Sequence, residues 1–233
     1  MTKISNKDLE KLQEKINTTF KNLDLLKEAL THRSYLNENS SWSLPHNERL
    51  EYLGDAVLEL IVTEELFKKF PDFEEGKLTL LRAALVNYQF LSKVTHEFDL
   101  YDYIFLSRGE SKDSDKARDV ILANAIEALI GAIYLDGGYE AAKLFIHKFV
   151  LSHLEGVIAL GAYKDPKSLF QEIVQERDKV TPVYKILGES GPDHKKIFRS
   201  GVYVGPNLVA EGEGMSKQEA ELNAAKSALE KEK

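Results

Sequence analysis

The run Asn47-Glu48-Arg49-Leu50-Glu51-Tyr52-Leu53-Gly54-Asp55-Ala56-Val57-Leu58-Glu59-Leu60 constrains this chain more than any other stretch. Wound as a helix at about 100° per residue, it sorts into two faces. Glu48, Glu51 and Asp55 fall at i, i+3 and i+7, in one narrow stripe. Leu50, Leu53, Val57, Leu60 and Ile61 take the opposite side, as a core-facing helix requires. Gly54 inside this pattern costs about 1 kcal/mol relative to alanine, which points to close packing or the approach of a ligand. Stacked carboxylates repel: at ~4 Å and an effective dielectric of ~20, each pair costs on the order of 4 kcal/mol. A hard divalent cation is their natural partner; the alternative is a solvated acidic face.

The rest of the chain limits what such a helix can serve. A length of 233 residues holds one large domain or two modest ones, and 43% hydrophobic with 30% charged residues fits a globular protein. There are no cysteines, which excludes disulfides and thiolate metal sites. The polar start Met1-Thr2-Lys3-Ile4-Ser5-Asn6-Lys7 shows no signal peptide, and no apolar run approaches the ~18 residues of a membrane span. A cytoplasmic location without membrane attachment is the expectation. The net charge of −7 argues against nucleic acid until it is divided along the chain. Residues 1–163 carry all of it and residues 164–233 balance to 0. Attraction to phosphate must therefore come from local basic patches and bound cations.

Two grammars follow one another. Residues 1–160 read as helices at 6–16, 24–32, 46–69, 76–86, 88–97, 116–135 and 138–157, with Asp136-Gly137-Gly138 as a stop and restart. A linker at 161–164 leads to a second domain, 165–233. Asp165-Pro166 caps a helix to about Arg177, three segments of strand character follow at 182–189, 196–204 and 207–213, and Ser216-x-x-Glu219 opens a final helix, 217–231. The order is αβββα.

Asn47 to Ala56 resembles the signature stretch of the ribonuclease III family. Ala29-Leu30-Thr31-His32-Arg33-Ser34-Tyr35 resembles the family's early helix, Glu75-Gly76-Lys77-Leu78-Thr79 with Leu81-Arg82-Ala83 its third motif, and Ile121 to Ala132 its second acidic helix. The resemblance covers most of residues 20–155. It implies an all-α endonuclease domain followed by a small α+β (αβββα) double-stranded RNA-binding domain. The activity it implies is Mg²⁺-dependent cleavage of double-stranded RNA, in rRNA and mRNA processing, with Mn²⁺ able to substitute. Glu51, Asp55, Asn124 and Glu127 would hold the metal, with Asp55 and Glu127 as the catalytic acids and Glu48 and Glu75 in support. Tyr52 matches an aromatic that plugs the partner subunit, implying a symmetric homodimer whose two sites leave short 3′ overhangs. Metal ions held by carboxylates can activate water, neutralise the phosphate and assist the leaving 3′ oxygen, so no histidine or thiol nucleophile is needed.

Asn124 departs from the family pattern, which has Asp there. It keeps one ligating oxygen and loses a charge. A tolerated natural variant, an engineered inactivation and a naturally non-cleaving homologue all account for it. Among the remaining residues, His46 reads as a helix-start residue, Glu59 as solvated, Trp42 as packing, and His32 and Arg33 as structural or RNA-touching.

The C-terminal segment resembles the double-stranded RNA-binding domain in its local motifs as well. Gln171 and Glu172 would meet 2′-hydroxyls and base edges. Pro192, His194, Lys195 and Lys196 lie in a loop resembling the one that enters the next minor groove. Ser216 and Lys217 stand at a helix N-terminus, where charge and dipole favour phosphate. Gln218 and Met215 replace residues often basic in the family. The rival readings are a non-cleaving double-stranded RNA-binding dimer disabled at Asn124, and a structural protein of an RNA particle. No small-molecule substrate is expected.

Overall fold

Ser5 opens the first helix by a reciprocal capping box: its hydroxyl accepts from the Asp8 amide, and the Asp8 carboxylate accepts from the Ser5 amide. In α1 (Asn6–Ile16) the residues Leu9, Leu12 and Ile16 turn inward at helical spacing. The computed structural model describes residues 4–110, 115–159, 161, 166–192 and 196–231. Contacts divide the chain into two units, Met1–Tyr163 and Lys164–Lys233. After α1, the first unit holds α2 (Leu23–Ala29), α3 (Arg33–Glu38), α4 (Glu48–Lys69), α5 (Glu75–Val86), α6 (Tyr88–Thr95), α7 (Asp115–Phe149) and α8 (Leu154–Ala159). Short 3₁₀ turns occupy 96–98, 100–103 and 151–153.

The acidic helix α4 and the long α7 form the central pair. A Cβ on Gly54 would fall 1.7 Å from the Glu127 carbonyl oxygen, and one on Gly131 would fall 2.3 Å from that of Leu50. The two backbones therefore touch where they cross. Around this contact Leu58, Ile61 and Val62 of α4 and Ala125, Ile126, Ala128 and Leu129 of α7 are fully buried. Each buried Leu or Ile stabilises the fold by about 1.5–3 kcal/mol, so this seam is a main source of the unit's stability. Phe98, Phe145 and Phe149 close the far side with ring centroids 4.9–6.1 Å apart. The Asp136 carboxylate accepts from the amides of Lys21 and Asn22, tying the α1–α2 connection to α7.

Several sequence expectations need correction. Leu60 is 59% exposed, and Leu58 and Val62 fill the core in its place. The buried face of α4 runs through residues 50, 54, 57, 58, 61 and 62, whereas Leu60 sits about 80° round the helix from Tyr52, on the open side. The helix expected at 24–32 stops at Ala29 because Thr31 leaves to form a parallel bridge with Phe105. Phe105 donates to the Leu30 carbonyl and accepts from the His32 amide. His32 then caps α3, a helix absent from the sequence reading, by accepting from the Ser34 amide at Nδ1. The break expected at Asp136-Gly137-Gly138 is present, because Gly138 (φ 78°) interrupts α7 with non-helical backbone, but the second segment ends at Phe149, short of the expected 157, and a 3₁₀ turn and α8 follow. The stretch Asp115–Ala159 is long and apolar enough to cross a membrane, with a mean hydropathy of 1.6 in its best window. Most of its large apolar side chains, among them Ile126, Leu129, Ile130, Phe145 and Ile146, are buried in the core, while Leu135 and Leu144 are exposed.

The second unit is α9 (Pro166–Asp178), strands β1 (Val183–Ser190), β2 (Ile197–Val204) and β3 (Asn207–Gly214), and α10 (Lys217–Lys231). The αβββα order is the one read from the sequence. The sheet is antiparallel in the order β1-β2-β3, with irregularities at Leu187 and near Tyr203. Gly205, at φ 57°, and Pro206 form the two-residue turn that brings Asn207 opposite Val204. Both helices lie on one face, where Phe170 and Val174 meet Val202, Ala210, Ala224 and Ala228. Gly212 lets α10 seat directly on β3: a Cβ there would fall 2.1 Å from the Ala224 nitrogen.

Candidate active site and nucleic-acid interface

The α4–α7 crossing brings acids of both helices into one electrostatic neighbourhood. Glu51 is half-buried, and its carboxyl is held above its ordinary range by burial, then by Glu48 and Asp55. Glu127, on α7, is pushed up to about 8 by burial, then by Asp55 and Glu51. Repulsion felt at Glu51 and at Glu127 thus links Glu48, Glu51, Asp55 and Glu127 into one row. Asn124 stands one turn before Glu127 on α7 and is half-buried. The row is not a preformed cage: among the described residues, no three His, Cys, Asp or Glu side chains converge closely enough to hold an ion. The candidate ligands are nonetheless all oxygen, the carboxylates of Glu51, Asp55 and Glu127 with the amide oxygen of Asn124, and they suit a hard divalent cation.

The ends of the row differ. Glu48 is met by Arg33 Nη1 at 3.6 Å and His46 Nδ1 at 3.9 Å. His46 also accepts from the Glu48 amide at 3.4 Å, at the start of α4. Glu75, the first residue of α5, is not among the groups acting on Glu51 or Glu127, and it accepts from the Thr79 hydroxyl at 3.1 Å. The structure therefore brings Glu48 to the row and leaves Glu75 outside it. Glu59 lies 4.0 Å from Arg82, on the open side of α4. Tyr52 projects from that helix and is 84% exposed. Trp42 packs on Tyr35 and Phe105 at 5.4 and 4.9 Å.

Asn47 differs from the usual capping asparagine. Its side chain makes no cap bond; it is buried, and Nδ2 donates to the Ala29 carbonyl. Its amide donates to Thr31, so the start of the acidic helix is fixed to the α2–α3 corner. Nothing in the local sequence distinguishes this tertiary use from a cap.

In the second unit, an open cleft of ≈ 810 Å³ lies between the first turns of α9 and α10, lined among others by Ser168, Gln171, Ser216 and Gln218. It brings Gln171 and Ser216 together and adds Ser168, which the sequence reading missed. Glu172 and Pro192 are exposed. Lys196 pairs with Glu189 at 2.9 Å, and Lys217 lies 6.0 Å from the Phe198 ring centroid. His194 and Lys195 fall outside the described residues. Ser216 accepts from the Glu219 amide, while Glu219 accepts from the Met215 amide, so the helix start is closed one residue further back than in a standard box.

Comparison with known proteins agrees with both units. Residues 22–154 match the model described as ribonuclease-III-like, and residues 166–232 match the double-stranded RNA binding motif. Ribonuclease 3 of Borreliella burgdorferi is 45% identical over 221 residues, spanning 95% of this chain and 90% of that protein. Ribonuclease 3 of Oleidesulfovibrio alaskensis is 46% identical over 222 residues, spanning 95% and 96%. The nuclease domain of ribonuclease III from Campylobacter jejuni aligns in three dimensions with a TM-score of 0.57 at 42% identity, covering 63% of this chain and 96% of that one. A second structure of that domain, described as flexible in a region involved in dimer formation, gives 0.56 at 43% identity, covering 61% and 95%. With its nuclease and RNA-binding regions both matched in sequence, the chain belongs to the ribonuclease III family.

Proposed function

We propose that this protein is a Mg²⁺-dependent, homodimeric endonuclease that hydrolyses double-stranded RNA and leaves short 3′ overhangs, acting in the cytoplasm on rRNA and mRNA precursors. Membership of the family supports the endonuclease activity. The observation that carries the mechanism is the carboxylate row divided between two helices, with Glu127 pushed up to about 8. A bound divalent ion supplies charge neutralisation on the phosphate and a more acidic attacking water. Glu51, Asp55 and Glu127, with the Asn124 amide oxygen, are the residues that would hold it. Glu127 surrenders its proton readily once positive charge offsets Asp55 and Glu51, because those neighbours are part of what keeps it protonated. Glu48 supports from the margin through its action on Glu51, whereas Glu75 lies outside the row and is given no part in holding the ion.

Binding falls to the second unit. Gln171 and Ser216 border one cleft and offer groups suited to the 2′-hydroxyls of a shallow minor groove. Lys217 adds charge at a helix N-terminus, and Glu172, Pro192 and Lys196 extend the surface, while His194 and Lys195 are proposed as RNA contacts from the sequence alone. Tyr52, exposed on α4, is the proposed subunit contact. Dimer formation by the Campylobacter jejuni nuclease domain supports a dimer, and the exposure of Tyr52 supports its place in the contact.

The deciding experiment is cleavage of a long end-labelled RNA duplex across a Mg²⁺ series, with Glu127→Gln as control. Staggered products absent from the control are expected. Tight binding without a cut, even at high Mg²⁺, would replace the nuclease with a non-cleaving dimer, the reading that the missing charge at Asn124 favours.

A further inference from the structure

We infer that Gly131 is a positioning residue for the reaction: with Gly54 it sets the separation of α4 and α7, and thereby the width of the carboxylate site. The inference rests on the metal-site reading proposed above and goes beyond it in naming what fixes the site's dimensions. Gly54 immediately precedes Asp55 and lies three residues after Glu51; Gly131 lies four residues, about one turn, after Glu127. The contact is reciprocal. A Cβ on Gly131 would meet the Leu50 carbonyl oxygen at 2.3 Å and the Gly54 nitrogen at 3.1 Å. A Cβ on Gly54 would meet the Glu127 carbonyl oxygen at 1.7 Å and the Gly131 nitrogen at 2.9 Å.

All of these obstructing atoms are backbone, so no change of rotamer relieves the clash. Non-bonded carbon atoms are at ease at roughly 3.5–4.0 Å, and an alanine at 131 must push the helices apart by on the order of 1 Å. Glu127 and Asn124 ride on the same helix about one and two turns upstream, and they move with it. Away from this point the seam is made by the side chains of Leu58, Ile61 and Val62, which can adjust. Direct backbone contact thus sits level with the acids. Mg²⁺ requires near-octahedral oxygen ligands at 2.0–2.1 Å, so a displacement of that size matters to it more than to a larger cation.

The test compares wild type, Gly131→Ala and Leu12→Ala, all in the full-length protein. Leu12 is fully buried in α1, so its truncation lowers stability while leaving the α4–α7 backbone contact unsubstituted. Mg²⁺ binding is read by calorimetry, together with the thermal midpoint, binding to a double-stranded RNA and single-turnover cleavage. Gly131→Ala is expected to keep its helical content and RNA binding, lose at least about tenfold in Mg²⁺ affinity, and lose about 100-fold in kcat with KM unchanged. Leu12→Ala is expected to lower the midpoint with affinity and kcat near wild type. If Gly131→Ala lowers only the midpoint, the glycine is a packing residue and the inference fails. Every variant is also measured with trimethylamine N-oxide, which favours the folded state. A Gly131→Ala protein that stays unfolded even there would also overturn it, by making the contact a requirement of the fold itself. Gly131-dependent Mg²⁺ binding in a wild type that cuts no RNA would sink the nuclease reading and leave this one standing.

Discussion

Arg33 reaches from α3 to Glu48 on α4, with Nη1 3.6 Å from Glu48 Oε1. The outermost acid of the row therefore has a cation beside it, while Glu51 is raised by burial first and then by carboxylates on both sides. Arg33→Gln leaves the Glu48 charge unopposed against Glu51. The expected result is a shift of the acid limb of the pH–rate profile to higher pH. Arg33 is exposed, so the effect is limited to about 0.2–1 kcal/mol, under roughly one pH unit. Rates measured from pH 5 to 8 at limiting Mg²⁺ check it; an unmoved limb would show that Glu48 is screened by solvent alone.

Glu127 makes the metal-free protein sensitive to pH in an uncommon direction. Its folded pKa, about 8, lies above its ordinary 4.5, so the folded state holds the proton more tightly than the unfolded state. Stability is then full below the ordinary carboxylate range and falls as pH rises towards 8. The loss is on the order of 2 kcal/mol, solvent screening removing the rest. Thermal unfolding in chelator should show the midpoint dropping from pH 5 to pH 8. Glu127→Gln should flatten that slope, and added Mg²⁺ should stabilise wild type more at pH 8 than at pH 6.

Asn124→Asp returns a charge to the site and should lower the Mg²⁺ concentration for half-maximal cleavage by about tenfold. Without metal, the same change should raise Glu127 further and reduce the thermal midpoint at pH 8. A Mg²⁺ titration of both proteins decides the matter. Equal midpoints of activation would mean that the amide serves as well as a carboxylate.

Lys217 lies at the exposed start of α10, whose closure by Ser216 and Glu219 does not involve it. Lys217→Ala should therefore weaken binding to all duplex sequences alike and reduce the slope of log K against log salt by about one. Filter binding at several salt concentrations measures both.

Tyr52 contributes nothing to the core of its own chain, being 84% exposed. Tyr52→Ala should leave helicity intact while shifting sedimentation from dimer towards monomer. An unchanged sedimentation profile would remove Tyr52 from the subunit contact.

The sequence revealed most where local chemistry decides the structure. The acidic stripe of α4, the Ser216–Glu219 helix start and the Gly205-Pro206 turn all depend on near neighbours, and each could be read directly. Tertiary demands were illegible. Leu60 looks like core by composition, but the buried face of α4 is set by where α7 crosses, and that crossing is not written in α4. Thr31 belongs to a helical pattern until Phe105, far along the chain, offers a bridge. Asn47 has the form of a cap and is used as a buried strut. At the site, the acids were nameable from their spacing and family resemblance. Which of them share an electric field was not, so Glu75 could not be told apart from Glu48.

Gly138 also separates two mechanical tasks within one helix. The segment that carries Asn124, Glu127 and Gly131 is unbroken up to the kink, where the backbone takes a conformation no helix allows. From Glu127 to that joint is roughly three turns, about 16 Å along the axis. One segment is placed by its backbone contact with α4 and holds the acids, and the other is placed by the rings of Phe145 and Phe149 against Phe98. Because the backbone turns between them, each direction is set by its own packing partners, and the bearing of the acid stem does not dictate that of the segment after it.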